Sequence, residues 1–277
     1  MDNTQQFVAV VLAADRTGHD PITQHTGATC KAIAPVAGRP MIMRVLDALE
    51  ASDLVKSIIL CGPPEHILPD CPELEQRIAD GRVTWLPNLD SPSKSAMKGF
   101  EQVGADTPLF LTTADHALLT SQIVQHFLSE SLKSNGDTTV GLVNIDDVTA
   151  AFPGAKRTIT KFRDGGYCGC NLYTFNHRGR EIVSIWRQAE AMRKRPWRLI
   201  AQILGPWTVL KYLLGRLTLE QAFNAVSVKT GIHAQAIILP FPEAGVDVDK
   251  VDDLLLAESI LTNNEINMYK KRVKPFL

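Results

Sequence analysis

FVAVVLA, residues 7–13, is a continuous apolar run with three valines and no polar side chain. A run of that length reads as a strand covered on both faces, the kind found at the centre of a parallel sheet. It ends in a polar loop, 15–29, punctuated by Gly18, Pro21 and Gly27. Gly38-Arg39-Pro40 then opens MIMRVLDALEAS, residues 41–52, in which Met41, Val45, Leu46 and Leu49 share one helical face. Outward from there come a strand at 56–61 (KSIILC), a loop opened by Gly62-Pro63-Pro64, a helix around 73–79, a strand at 83–86, a helix at 95–103, a strand at 108–113 and a helix at 121–132. Strand and helix in this cadence predict an α/β fold around a mostly parallel sheet.

After residue 138 the cadence changes. Residues 139–143, 158–162 and 171–175 read as strands without long helices between them, which predicts an antiparallel or mixed extension of the sheet. Residues 180–226 are helical in character, broken at Pro196 and at Gly205-Pro206. A strand at 234–239, a loop at 240–249 and a closing helix at 252–261 complete the chain. With no repeat, low-complexity stretch or flexible linker, the expectation is one domain over 1–277, a Rossmann-like three-layer sandwich in which 178–230 is a helical insertion.

Composition removes several function classes. The 277 residues are 45% hydrophobic and carry 29 basic against 30 acidic side chains, which excludes both an acidic disordered tail and a polybasic nucleic-acid arm. No run approaches the roughly 18 apolar residues of a membrane-spanning helix, and the first residues lack a basic leader region, so a cytoplasmic location is expected. The five cysteines form no CxxC pair, and with no His or Cys partners at ligand spacing they read as reduced thiols rather than a disulfide framework or zinc site.

Ligands of open parallel sheets bind at the carboxyl ends of strands, where strand order reverses. The loop after the first strand is therefore the first candidate, and it carries Asp15, Arg16, Thr17, Gly18 and, further on, Lys31. Backbone donors beside a point cation suit a polyanion. VLAADRTGHDPITQHTGATCKAIAPVAGRPMI, residues 11–42, resembles the signature of the MobA-like nucleotidyltransferases, LAAGxGxRxG followed by a Lys and then VxGxPxI. The resemblance implies the nucleotide-diphospho-sugar transferase type of sandwich and a loop that wraps an NTP triphosphate. Leu12, Ala13, Ala14, Asp15, Thr17 and Gly18 would bind nucleotide, and Lys31 and Arg16 would be the catalytic cations. Asp15 stands where the family usually has Gly, and His19 near its usual Arg. An acidic group there repels a triphosphate unless a metal or Arg16 intervenes.

Three further segments follow in order. LFLTTADHALLT, residues 109–120, delivers Asp115 at a strand's carboxyl end, a fit for Mg²⁺, which is held by one or two carboxylates plus substrate phosphates. The alternative is an N-cap for the next helix. His116 tunes that loop, since hard Mg²⁺ prefers oxygen. GVDVDKVDDLLLAESIL, residues 245–261, resembles the family's late acidic motif, DxDTPEDL. Asp247 and Asp249 alternate with Val246 and Val248, which points both carboxylates to one side as metal ligands; Asp252 and Asp253 suit the first turn of the closing helix. SPSKSAMKGFE, residues 91–101, is similar to the family's base-reading segment, with Ser95 as the reader or as a plain N-cap. DGGYCGCNLYTF, residues 164–175, resembles a Gly-rich entry to an acceptor pocket, with Gly166 and Asn171 as acceptor residues; a hairpin turn at Asp164-Gly165 explains the same glycines.

The segment 178–216 holds nine basic residues against Glu181 and Glu190, a surplus of seven in a chain whose net charge is -1, and contains Trp186, Trp197 and Trp207. A cationic, Trp-rich helical stretch suits peripheral membrane contact, a homodimer interface, the wall of a pocket for a phosphorylated or lipid-like acceptor, or a solvated basic face. The resulting expectation is a Mg²⁺-dependent nucleotidyltransferase that moves an NMP from an NTP to a phosphorylated acceptor, with no nucleic-acid partner. The alternatives are a glycosyltransferase using an NDP-sugar and a non-catalytic nucleotide-binding or membrane-associated regulatory module.

Overall fold

The computed structural model of the protein describes residues 5–13, 20–191 and 205–273. Strand β1 (Phe7–Leu12) is buried along its whole length and lies between two parallel partners, β4 (Val55–Cys61) and β6 (Leu109–Thr113). The alternation of its side chains divides the interior. Phe7, Ala9, Val11 and Ala13 join one apolar cluster with helices α2 (Met41–Glu50), α3 (Pro72–Ala79) and α5 (Ser121–Lys133). Val8, Val10 and Leu12 join the opposite cluster with α4 (Pro92–Glu101) and α7 (Ile182–Ala191). A run that is apolar at every position is thus required by burial on both faces.

With β5 (Val83–Leu86), β7 (Thr138–Asn144), β8 (Thr160–Phe162), β9 (Gly165–Phe175) and β10 (Ala234–Ile238), the sheet order is β10-β7-β9-β6-β1-β4-β5, and β8 pairs on β9. Only β9 runs against the common direction of the sheet, antiparallel to β6, β7 and β8. The chain leaves β1 to one side for β4 and β5 and returns to the other for β6, so the crevice at the carboxyl ends of β1 and β6 is where strand order reverses. A third apolar cluster covers that end. It joins Ile22 of α1 (Pro21–Thr26), Val36 of β2 (Pro35–Val36), which pairs with β3 (Arg39–Pro40), and Val246, Val248 and Leu254 near the start of α10 (Val251–Val273).

The structure departs from the sequence reading at several elements. The polar loop after β1 contains α1, in which Asp20 caps the Ile22 amide at 2.7 Å and Gly27 closes the helix at φ 72°. Pro21 and Gly27 are therefore a helix start and stop rather than breakers. α4 begins at Pro92 with Ser91 as its N-cap, earlier than 95. A short helix, α6 (Ile145–Ala151), follows β7 unforeseen, its apolar content too small to announce itself. α10 runs past 261 to Val273. In the insertion, α8 (Pro206–Leu213) starts at the expected break and α9 (Leu219–Thr230) follows a further one, with a Thr218–Gln221 capping box; the break expected at Pro196 lies outside the described residues. Among the described residues, no helix is long and apolar enough to cross a membrane.

Candidate active site

Distant chain segments meet at the carboxyl ends of β1 and β6. Ala114 extends the β1–β6 ladder by donating its amide to Leu12 O at 2.9 Å, which places Asp115 at the crevice. Thr113 Oγ1 donates to Asp115 Oδ1 at 2.6 Å. Lys31, in a tight turn after α1, donates to Asp115 Oδ2 at 2.8 Å and to Asp249 Oδ1 at 2.9 Å. Burial alone would lower the Lys31 pKa, but the charges and hydrogen bonds of Asp115 and Asp249 outweigh it and hold the ammonium above the ordinary lysine range. For Asp115 burial pulls upward, yet Lys31 and the Thr113 hydroxyl hold its carboxyl below the usual value. The cap of α5 is Thr120, so the capping alternative for Asp115 falls away. His116 is fully buried, neither ring nitrogen has a partner among the described residues, and burial pushes its pKa down to about 4 against the pull of Asp115.

The acidic segment enters from the far end of the chain. Val246 and Val248 are fully buried, and Val248 N donates to Asp115 O at 3.0 Å, tying the two acidic loops together. Asp249 faces outward to Lys31, with its side chain 72% exposed. Asp247 faces inward: Asn171 Nδ2 donates to its Oδ2 at 2.8 Å, while Oδ1 is buried and without a partner among the described residues. Burial, then the charges of Asp115 and Asp249, push the Asp247 pKa up to about 8, against a smaller pull from Arg157 and Lys31. Three carboxylates face one ammonium, and an oxygen is left over. That donor set, all hard oxygen with negative charge in excess, fits a divalent cation held by Asp115 and Asp247 with Asp249 nearby. Among the described residues no group of three or more His, Cys, Asp or Glu side chains is arranged to hold a metal ion by itself.

The raised Asp247 pKa has a sign for stability. Between the unfolded value near 3.8 and the folded value of about 8, the folded protein holds a proton that the unfolded chain releases. Stability contributed by that proton is complete below pH 3.8 and is lost as pH rises to about 8. Asp247→Asn removes the dependence. In cation-free buffer the Tm of the variant relative to the wild type is expected to climb with pH through this window, by on the order of 5 °C, and then flatten. A Tm difference that is constant or falls with pH would contradict the assignment.

Two positioning features had no recognisable sequence signal. The first is a bulge: Val140 pairs with Tyr173 and Leu142 with Gly169, so Cys170, Asn171 and Leu172 lie opposite the single Gly141. Asn171 takes φ 51°, a left-handed conformation that Asn tolerates better than most residues, and the bulge aims its amide at Asp247. The second is Arg157, which donates to Asp247 O at 3.1 Å and to Asp253 Oδ1 at 2.9 Å. Asp253 Oδ2 in turn accepts the amides of Asp249 and Lys250, both at 3.2 Å, the helix-start role expected of it. Arg157 and Asp253 are 9% and 5% exposed. Arg157→Ala strands a buried carboxylate and is expected to cost about 3 kcal/mol in denaturant unfolding, with loosening of 246–250.

Other expected site residues take different places. Ala13 spends its amide on Cys61 O at 2.9 Å, and Gly62, at φ 89°, is held there because a Cβ would lie 2.9 Å from Ala13 O. Leu12 is buried and the Ala13 amide is committed to the Cys61 carbonyl. Ala14, Asp15, Arg16, Thr17, Gly18 and His19 lie outside the described residues. Ser95 does not open its helix; it is fully buried and its hydroxyl accepts the Leu89 amide at 2.8 Å, bracing the loop before α4. Arg163 and Asp164 turn the β8–β9 hairpin, one residue before the expected Asp164-Gly165 turn, with Gly165 already paired to Phe162, and a Cβ on Gly166 would lie 2.6 Å from Ile145 Cγ2 of α6. In the insertion, Arg180 donates to the carbonyls of Phe100, Val103, Gly104 and Thr107, which makes it a brace rather than part of a solvated face, while the exposed Arg178 donates to Gly231 O. Arg193, Lys194, Arg195, Trp197 and Arg198 lie outside the described residues.

A family model of the MobA-like NTP transferase domain matches residues 9–157. Among solved structures, a hypothetical transferase from Thermus thermophilus is 30% identical with a TM-score of 0.74, covering 90% of this chain and all of its own. A CMP:2-keto-3-deoxy-manno-octonic acid synthetase complexed with CTP is 13% identical, with a TM-score of 0.57 over 94% of this chain and 100% of its own. A 4-diphosphocytidyl-2C-methyl-D-erythritol synthase from Anaerococcus prevotii is 11% identical, with a TM-score of 0.56 over 93% and 99%. At that identity the last two show shared fold alone. Comparison with curated proteins gave no match.

Proposed function

The chain belongs to the MobA-like NTP transferase family, and from that premise we propose that it is a Mg²⁺-dependent nucleotidyltransferase acting on a phosphorylated acceptor. The observation that carries this reading is the convergence of Lys31 with Asp115 and Asp249, beside the unpartnered Asp247 oxygen, at the strand-order reversal. An acceptor phosphate oxygen attacks the α-phosphorus of the NTP, the new P–O bond forms as the bond to the β-phosphate oxygen breaks, and pyrophosphate leaves with that electron pair. An ionised acceptor needs no strong base, so catalysis is positioning and charge neutralisation. Lys31 exchanges its carboxylate partners for phosphate oxygens and offsets the charge that develops on them. Thr113 and Asn171 fix the Asp115 and Asp247 carboxylates. A cation held by those two supplies neutralisation of the phosphate charge when bound. Arg16, Asp15, Thr17 and Gly18 are proposed to complete the triphosphate loop, with Asp249 as the exposed partner of the Lys31 and metal cluster.

Residues 1–277 work as one unit, with α7 and α9 facing the sheet. The proposed function includes peripheral contact with anionic lipid through α8, whose Trp207 and Leu213 are 77% and 75% exposed and flank Lys211; co-sedimentation with phosphatidylserine vesicles at low and high salt tests that part. The central test is a thermal-shift screen of the four NTPs with and without Mg²⁺, followed by pyrophosphate release with phosphorylated metabolites. One NTP stabilising the protein in a Mg²⁺-dependent way is the expected result. Stabilisation by no NTP, or NTP binding without pyrophosphate from any acceptor, would count against it.

A further inference from the structure

Between the sheet and the insertion lies a cavity of about 480 Å³, inside the size range of small-ligand sites. Its floor is β6, β7 and β9, including Leu111, Val140 and Phe175; its roof is α7 and α9, including Trp186, Phe223 and Val226. Among the described residues most polar side chains on its wall are already spent, the exceptions being the Tyr173 hydroxyl and the Trp186 indole N–H. Thr138 Oγ1 donates to Thr174 O at 2.8 Å and Thr230 Oγ1 to Val226 O at 2.8 Å. Thr113 and Asn171 are turned to the carboxylates of Asp115 and Asp247. Among the described residues this mostly apolar lining suits a hydrocarbon better than a sugar or a second nucleotide, and water has few partners in it.

Position decides what the cavity is for. Leu12, Thr113 and Asn171 line its wall, and the last two each hold a carboxylate of the proposed cation site, so the cavity and that site share a boundary. We infer that the acceptor is an amphiphile, an alkyl or isoprenoid chain ending in a phosphate, with the chain in this cavity and the phosphate at the carboxylate and Lys31 end. The inference rests on the nucleotidyl-transfer reading for the role of the head group; the chain's seat is argued from the cavity alone. At roughly 30 Å³ per water-sized group the space holds about fifteen such groups, a chain of medium length.

The test uses the full chain with butyl, octyl and dodecyl phosphate as probes, each below its micellar concentration, reading dissociation constants with and without Mg²⁺ and the NTP that gives the largest thermal shift. Each buried methylene is worth up to about fourfold in affinity, so octyl phosphate is expected to bind about fiftyfold or more tightly than butyl phosphate, with little further gain once the cavity is full. Val226→Trp and, as a second and milder filling, Ala222→Phe are expected to cut the octyl preference to less than about fivefold while the NTP-induced shift is unchanged. Equal binding of butyl and octyl phosphate by a wild-type protein that binds NTP overturns this inference and leaves the nucleotidyl reading standing. Full chain-length preference in both filled variants also overturns it, by placing the chain elsewhere. A protein that prefers the long chain but binds no NTP keeps the cavity assignment and removes the nucleotidyl reading.

Discussion

Lys31→Ala is expected to lower kcat for pyrophosphate release about a thousandfold while the dissociation constant of the NTP changes less than about tenfold. One electrostatic donor aimed at developing charge contributes on the order of a hundredfold to a thousandfold. Lys31 also neutralises two carboxylates at 2.8 and 2.9 Å, so its loss leaves the cluster more negative before any substrate arrives. Under the proposed reading the ground state has further contacts to hold it and suffers less than the transition state, so the loss is expected in kcat. Steady-state pyrophosphate release, with Tm as the folding control, reads it. Lys31→Arg restores charge but not a compact point donor and recovers activity only in part. Under the glycosyltransferase alternative the lysine loop has no such duty, and Lys31→Ala would leave NDP-sugar binding and turnover nearly intact.

Asp115→Asn is expected to remove at least about three orders of magnitude of activity and to abolish saturable Mg²⁺ binding, read by isothermal titration in the presence of the NTP. The substitution is close to isosteric. The Thr113 hydroxyl can still donate to the amide oxygen and Asp249 still holds Lys31, so the fold should persist. Asp249→Asn is the contrast. Its side chain is 72% exposed and already satisfied by Lys31, so the loss is expected to stay below about tenfold. Retention of a tenth of wild-type activity by Asp115→Asn would sink the two-carboxylate assignment.

Most of the sheet was legible because its strands are buried on both faces and thus apolar without interruption, as at Phe7–Leu12 and Leu109–Thr113. The parallel core left little room for error there. α1 and α6 were not legible, since helices of 6 and 7 residues carry too few apolar positions to show a period. At the site, Lys31, Asp115, Asp247 and Asp249 stood out through neighbouring motif residues, and the structure brings these four together. Asn171 was expected as an acceptor residue; its contact with Asp247 depends on a bulge, and a bulge is a property of two paired strands that neither strand announces alone. Arg157 sits in an irregular segment whose sequence is ordinary, and its weight comes from Asp253, 96 positions away. Ser95 shows the opposite failure, a residue of the expected type whose hydroxyl is turned inward.

The central place of β1 also governs how the molecule is made. Val8 must wait for Ser57 on one side and for Leu109 on the other, so the sheet closes outward from its first strand through contacts of long sequence separation, a slow kind of folding. On the ribosome the half with Lys31 and Asp115 is complete long before residues 247–253 emerge. Asp247, Asp249 and the Arg157–Asp253 clasp arrive last. A chain cut short before them carries Lys31 and Asp115 but neither the second ion-pair partner of Lys31 nor the clasp that holds 247–253 in place.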